Sequence, residues 1–280
     1  MNRFEPSFNT KMLLKFFMNF KSIFGFGVLL ILLLGLFSAF VLSKDEAKIV
    51  SQNHKKSFDY LPTSTTNQII EHDYFTLSYN EKYEQAEWVA YELKKSYVRS
   101  SNFERPYFIE DPKVKTRSAD WRNYKKSGYD KGHLCPAGDM EFAINAYIDT
   151  FFTSNISPQT HDFKGGVWNR LEQKVRYWAT KYDDLYVITA GVLQPHSKTI
   201  GQEQVLVPNY FYKILLDNSN GQYKMIAFMV PNAKSNKPLY EFVVSVDSIE
   251  KMTGIDFFPK LDDTTEKRLE KNSDYKIWSF

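Results

Sequence analysis

Three short stretches carry the residues best suited to chemistry. Asp130–Met140 reads DKGHLCPAGDM and holds a histidine after Lys-Gly; Asn155–Gln159 reads NISPQ; and Lys164–Glu172 reads KGGVWNRLE. Histidine titrates at about pH 6.5, so its neutral imidazole can take a proton from water near neutral pH. A hard divalent cation binds carboxylate and amide oxygens, either directly or through a water molecule. This combination of residue types favours metal-assisted hydrolysis.

The three stretches resemble the motifs of the DNA/RNA non-specific endonucleases, an endonuclease G-like family with the ββα-metal (His-Me finger) fold. Members usually carry Asp-Arg-Gly-His, then Asn-x-x-Pro-Gln, then Asn-x-Gly-x-Trp-x-x-Leu-Glu. This chain keeps His133, Asn155 and Glu172, whereas Lys131 replaces the arginine of the first motif. Lys164 stands where the family has its metal-binding asparagine. The resemblance extends from about Tyr74 to Phe258.

The resemblance implies a role for each matching residue. His133 would be the general base, and one Mg²⁺ or Mn²⁺ ion would assist, held by Glu172 through water. Arg117 matches in approximate position an arginine that contacts phosphate, and Lys131 and Lys164 would also bind substrate. The implied activity is that of a sugar-non-specific endonuclease with DNA and RNA as substrates. The resemblance also allows for a homodimer.

Two positions leave alternatives open. Asn155 could orient the histidine loop, bind phosphate as part of the catalytic set, or be a plain turn residue before a proline. Lys164 cannot ligate a cation while protonated, because an ammonium group has no acceptor. Asp162 or Asn155 could then bind the ion instead. Asn169 is not expected to do so, because five residues along a continuous helix place it about 140° away on another face.

Lys164 also raises two further alternatives. Its ammonium group could stabilise the phosphate directly in place of a metal. Otherwise catalysis is impaired, and the chain is a membrane-anchored nucleic-acid-binding protein of the same fold.

The order of predicted elements indicates a single α+β domain with a mixed or antiparallel central sheet. A helix is predicted to begin near Asp162, because Val167, Leu171, Val175 and Trp178 form one apolar stripe. The histidine stretch, a second strand and this helix give the ββα order that the resemblance implies. The predicted strands are Tyr74–Tyr79, Glu87–Tyr91, Thr150–Asn155, Leu185–Gly191, Val205–Leu216 and Met225–Val230.

Composition excludes several classes of site. The chain has 280 residues and one cysteine, Cys135, so neither an internal disulfide framework nor a cysteine-based metal site is available. The net charge of +3 is only mildly basic and by itself says little about nucleic acid. The 23 phenylalanines and 18 tyrosines are enough for a sizeable core.

The N-terminal region predicts membrane attachment. Residues 23–43 carry no charged side chain and are long enough to cross a bilayer as a helix, and Lys11, Lys15 and Lys21 precede them. We interpret residues 1–22 as a short cytoplasmic segment, 23–43 as a transmembrane signal anchor, 44–68 as a polar linker and 69–280 as the endonuclease domain. A cleaved signal peptide is the alternative, although its apolar part is normally only about 7–15 residues long.

This topology predicts that residues beyond about 44 lie outside the cytoplasm, in the periplasm or the extracellular space. Protease added to intact spheroplasts should therefore digest that portion of the chain. Complete protection would reverse the orientation, and recovery of a soluble mature form would favour cleavage.

Overall fold

A seven-stranded antiparallel sheet forms the centre of the computed structural model, which describes residues 60–218 and 222–280. Its strand order is β1-β2-β3-β6-β9-β10-β11, and β4 pairs with β5 and β7 with β8 outside it. The strands are β1 (Ile69–Glu71), β2 (Thr76–Asn80), β3 (Gln85–Lys94), β4 (Asp130–His133), β5 (Ile156–Gln159), β6 (Asp184–Gly191), β7 (Thr199–Ile200), β8 (Val205–Leu206), β9 (Tyr210–Asp217), β10 (Lys224–Pro231) and β11 (Val243–Val244). The α-helices are α1 (Ile144–Asp149), α2 (Asn169–Tyr182), α3 (Val246–Thr253) and α4 (Asp263–Glu270). The predicted α+β class is confirmed, and every pairing within this sheet is antiparallel.

Both faces of the sheet are covered, because strand side chains alternate between them. In β9, Phe211 and Leu215 belong to one hydrophobic cluster, whereas Tyr212 and Ile214 belong to the other. A strand buried on both faces reads as a nearly continuous apolar run. This explains why the sequence predicts one strand over Val205–Leu216, which the structure divides into β8 and β9.

Helix α2 covers the first face. Its apolar stripe of Leu171, Val175 and Trp178 is buried, and the Trp178 ring lies 5.0 Å from that of Trp278. The carboxyl-terminal residues thus help to hold this helix on the sheet. The second face is covered by α3 and α4, through buried residues such as Ile249 and Leu269.

The pair β4–β5 carries the histidine stretch. His133 is opposite Ile156 in its register, and Lys131 is opposite Pro158. The predicted strand over Thr150–Asn155 is wrong: residues Thr153–Asn155 form a 3₁₀ turn, and the strand begins at Ile156. Helix α1 ends at Asp149, so the residues that follow it must turn before the chain can pair with β4.

The predicted helix begins near Asp162 as expected, but it is interrupted after one turn. Residues Phe163–Trp168 form a wide π-type turn, in which Gly166 has non-helical dihedral angles (φ −103°, ψ −110°). Regular α-helix resumes at Asn169. The periodicity continues across this break because Val167 and Leu171 are both buried on the same side, whichever conformation joins them.

The predicted membrane helix at 23–43, and most of the predicted linker, lie outside the described residues. Residues 60–68 of that linker contact the domain: Thr65 donates its backbone N–H to Glu87 at 2.8 Å, and Thr63 donates to the carbonyl of Asp256 at 2.9 Å. Within residues 60–218 and 222–280, no helix has the length and apolar character needed to cross a membrane.

Candidate active site

A surface cavity of about 410 Å³ lies between the β4–β5 pair and the start of α2. It brings together two of the motif residues, His133 and Glu172, with Lys164 beside them. The complete lining is Asp130, His133, Pro136, Ala137, Gly138, His161, Lys164, Gly165, Asn169, Glu172 and Arg176. Residues far apart in sequence therefore meet in one polar pocket.

His133 ends β4 with its ring between two aromatic side chains, 5.5 Å from Phe108 and 5.0 Å from Phe151 between centroids. Its Nε2 atom is buried and has no hydrogen-bond partner among the described residues. Burial, together with the positive charges of Lys164 and Arg105, lowers the pKa of His133 to about 3. The imidazole is therefore neutral at physiological pH, and its Nε2 is not occupied by a hydrogen bond within the described residues.

Asn155 holds the loop that follows His133. Its Oδ1 accepts from the backbone N–H of Cys135 at 2.8 Å, and its Nδ2 donates to the carbonyls of Cys135 and Thr150, each at 2.9 Å. The side chain is fully buried and does not line the pocket. This geometry matches an orienting residue, and it leaves Asn155 without access to a metal ion or phosphate.

The break at Gly166 decides which side chains reach the pocket. On one continuous helix Asn169 would lie on another face from position 164, yet both residues line the cavity. The expectation that Asn169 is directed elsewhere is thus wrong, because the helix between these positions is broken at Gly166 and is not continuous. Asn169 and Glu172 are three residues apart in the first turn of α2 and so share one face.

Lys164 is directed towards the edge of β4. Its Nζ donates to the carbonyl of Lys131 at 3.0 Å and lies 4.0 Å from Asp130 Oδ2. Partial burial lowers the pKa of Lys164, and the charge of Asp130 opposes this effect. Asp130 thus favours the charged form of the Lys164 amine, which contributes positive charge to the pocket.

Glu172 lies above a group of buried charges. Asp139, only 1% exposed, accepts hydrogen bonds from Tyr91 Oη and Arg176 Nη1, both at 2.7 Å. Lys213 is fully buried in β9, and its Nζ has no hydrogen-bond partner among the described residues. Burial raises the pKa of Glu172 to about 7, an effect that the charge of Lys213 opposes and that of Asp139 reinforces.

The sequence reasoning missed the residues that support Glu172. Arg176 follows Glu172 by four positions on a helix, so its place on the same face was readable from the spacing. Lys213 is a single charged residue in the apolar run of β9, which is itself an unusual signal. Asp139 belongs to the first motif, but nothing local indicates that it meets Tyr91 of β3.

Three other predicted residues lie outside the cavity lining. The Arg117 side chain is 80% exposed, with Glu110 3.7 Å away. The Lys131 Nζ lies over the Phe108 ring, 5.4 Å from its centroid, beside the histidine. Asp162 is exposed and lies 3.9 Å from Lys234, so the structure does not support it as the replacement metal ligand.

The pocket offers oxygen atoms that suit a hard divalent cation. In the described part of the chain, no hydrogen bond or ion pair occupies the side chain of Asn169 or Glu172. Mg²⁺ is usually held by one or two protein oxygens, with water and substrate phosphate completing its octahedron. The amide of Asn169 and the carboxylate of Glu172 fit this requirement, whereas Lys164 opposes it by its charge.

The role of Asn155 gives a testable prediction. Asn155→Ala should lower the free energy of unfolding by about 3 kcal/mol, because three buried hydrogen bonds at about 1 kcal/mol each are lost. Urea titration would measure this change. The matched control is Asn145→Ala, at an exposed position of α1, which should unfold like the parent. Equal stability of the two variants would contradict the assignment.

Comparison with known proteins agrees with this geometry. Residues 52–264 match the profile of the DNA/RNA non-specific endonuclease family. The chain is 36% identical to the mitochondrial nuclease EXOG of Danio rerio over 66% of its own length and 59% of the relative's. It is 31% identical to human mitochondrial endonuclease G, over 69% of this chain and 70% of that protein.

A solved structure is similar as well. The EndoG chain of an EndoG/EndoGI complex superimposes with a TM-score of 0.68 at 27% identity, covering 77% of this chain and 94% of that one. The match spans between 57% and 67% of the length of four vertebrate EXOG proteins, so parts of those relatives have no counterpart in it. The family profile nevertheless covers most of the sequence, and the chain belongs to the DNA/RNA non-specific endonuclease family.

Proposed function

We propose that this protein is a metal-dependent, sugar-non-specific endonuclease that hydrolyses phosphodiester bonds of DNA and RNA. The observation that carries the proposal is the pocket in which a neutral His133, whose Nε2 has no hydrogen-bond partner among the described residues, meets Glu172 and Asn169. Its relatives EXOG and endonuclease G are named as nucleases, and this chain has the corresponding fold.

In this mechanism His133 is the general base. Its Nε2 takes a proton from the attacking water, for which a neutral imidazole is required. Phe108 and Phe151 fix the ring plane, while the Asn155 hydrogen bonds fix the loop behind it. The low pKa keeps the ring ready to accept a proton at neutral pH, although it also limits the base strength of His133.

Asn169 and Glu172 would hold one Mg²⁺ or Mn²⁺ ion, Glu172 through a bound water. When bound, such an ion neutralises charge on the phosphate and helps the 3′ oxygen to leave. Glu172 must be ionised for this role, and the nearby positive charges of Lys213 and Arg176 favour that form. Asn169 thus takes the position in the mechanism that Lys164 cannot fill.

Substrate contacts are proposed to involve the phosphate backbone, which explains a lack of sequence and sugar preference. Lys164 lies in the pocket, and Lys131 lies beside His133 over the Phe108 ring. Arg117 is exposed and free to move towards a phosphate, since its pairing with Glu110 at 3.7 Å is a surface interaction. Arg105, whose guanidinium lies 5.7 Å from the Phe108 centroid, adds positive charge near the histidine.

A second candidate is a catalytically impaired nucleic-acid-binding protein of the same fold. Lys164 favours it, because a positively charged ammonium in the pocket competes with a cation for the same negative groups. A neutral His133 and a partly buried Glu172 favour the enzyme instead, since phosphate binding alone needs neither group.

Removal of the general base tests the enzyme directly. His133→Ala should lower the rate of plasmid nicking in Mg²⁺ by at least about 10²-fold, the usual effect of losing an acid–base group. Binding of a short DNA duplex should be nearly unchanged. His196→Ala, at an exposed position outside the cavity lining, is the matched control and should cut like the parent. An alanine variant at 133 that nicks at the parental rate would refute the mechanism.

Lys164→Asn tests the departure from the family motif. Removing a cation from the pocket and supplying an amide oxygen should raise nicking and lower the Mg²⁺ concentration required by about tenfold, equivalent to ~1.4 kcal/mol of relieved repulsion. Lys260→Asn, at an exposed position, is the control for loss of a positive charge.

Other results for Lys164→Asn separate the alternatives. If Lys164 is itself the electrostatic catalyst, the parent should cut in EDTA and the variant should cut less. If the chain only binds nucleic acid, neither protein should cut, and the lysine should steepen the salt dependence of binding by about one phosphate contact. An unchanged rate, metal requirement and salt dependence would exclude position 164 from the site.

A further inference from the structure

Five carboxylates converge on the second face of the sheet, in a part of the molecule that the proposed catalysis does not use. Asp247 and Glu250 come from α3, Asp256 from the loop after it, and Glu266 and Glu270 from α4. They form two groups of three that share Glu270, and within each group the carboxylate oxygens lie within 4.8 Å of one another. We call these five residues the acidic cluster.

Glu270 is the buried centre of the acidic cluster. It is 6% exposed, and its Oε1 has no hydrogen-bond partner among the described residues. Burying a hydrogen-bond acceptor without a partner costs free energy of folding, and burying an unpaired carboxylate costs more. Such an atom is rarely left unsatisfied in a native protein, so it indicates that something else binds there.

No direct ion pair balances the negative charge of the acidic cluster within the described residues, although the charge of Lys267 acts on Glu266 through space. Among the ion pairs of the described residues, none includes any of its five carboxylates, and the one hydrogen bond received by Glu250 comes from the backbone of Phe257 at 2.9 Å. Burial and the charges of the four other carboxylates together raise the pKa of Glu270 to about 8. Mutual repulsion of this kind needs either a proton or a cation to relieve it.

We propose that the acidic cluster is a binding site for a divalent cation, and that Ca²⁺ is the ion whose chemistry fits it best. Ca²⁺ takes six to eight oxygens at about 2.3–2.6 Å in flexible geometry, so oxygens on its opposite sides lie about 5 Å apart. Mg²⁺ demands a smaller, near-ideal octahedron with several waters, and Zn²⁺ prefers nitrogen or sulfur ligands. A cluster made only of carboxylates, graded from the exposed Asp247 to the buried Glu270, offers both the ligands and a path from solvent.

The site would connect three segments that are separate in sequence. An ion held by Asp247, Glu250 and Glu270 would join α3 to α4, and an ion held by Asp256, Glu266 and Glu270 would join the Asp256 loop to α4. The backbone of Asp256 in turn exchanges hydrogen bonds with Thr63, where the described chain enters the domain. Ca²⁺ would therefore stabilise the second face of the sheet and the attachment of residues 60–68.

Thermal unfolding and calorimetry of the full chain in detergent would test this site, with EDTA treatment followed by titration with CaCl₂ or MgCl₂. At a Ca²⁺ concentration 100 times the Kd, the Tm should rise by roughly 5–10 °C, and less with Mg²⁺ at the same concentration. Glu270→Gln should abolish the rise, while its Tm without Ca²⁺ should equal or exceed that of the parent, since the buried charge is gone. Asp263→Asn removes a carboxylate of α4 outside the cluster and should keep the full rise.

Two further variants keep the test decisive. Asp247→Asn changes an exposed position that should not affect folding, and it should weaken Ca²⁺ binding by about tenfold even if Glu270→Gln does not fold. The double variant Asn169→Ala and Glu172→Gln should keep the Ca²⁺ response, which separates this site from the catalytic pocket. No rise in Tm with Ca²⁺, a full rise in both Glu270→Gln and Asp247→Asn, or a response lost only in the pocket variant would overturn the proposal.

Discussion

A single buried amide, that of Asn155, joins the turn after the histidine strand to the turn before β5. Its three hydrogen bonds, to both backbone groups of Cys135 and to the carbonyl of Thr150, are made in an interior without exposed surface. In a buried environment, leaving one of these polar groups without a hydrogen bond costs more free energy than forming the bond contributes. The loop therefore has one well-defined conformation. His133 and its position against α2 depend on this constraint.

Charge under the pocket is the second constraint. Glu172 is held in surroundings that favour its protonated form, yet the buried Lys213 and the half-buried Arg176 supply positive charge behind it. Asp139 is balanced by Arg176 and by the Tyr91 hydroxyl. Lys213 has no hydrogen-bond partner among the described residues, so its charge acts on Glu172 through space rather than through a direct bond. Such a group of charges would destabilise an ordinary hydrophobic core, whereas beneath the proposed active site it can set the charge of Glu172.

The two faces of the sheet carry different chemistry. On one face, α2 and the β4–β5 pair form a pocket with both signs of charge, suited to phosphate and a cation together. On the other face, α3 and α4 bring together carboxylates alone, which suits a cation without substrate. The alternation of side chains along β9 and its neighbours separates the two, because each strand contributes to both hydrophobic clusters.

The sequence by itself identified the family, the α+β class, most of the central strands and the candidate site residues His133 and Glu172, because motifs and period-two patterns are local properties. It also identified Lys164 as the departure from the motif. Only the tertiary structure revealed the break at Gly166 that brings Asn169 into the pocket, since periodicity cannot distinguish one helix from two segments that bury the same side. Burial of Asn155 and Lys213 was likewise decided by strand pairing and packing between distant residues, which no short stretch of sequence contains.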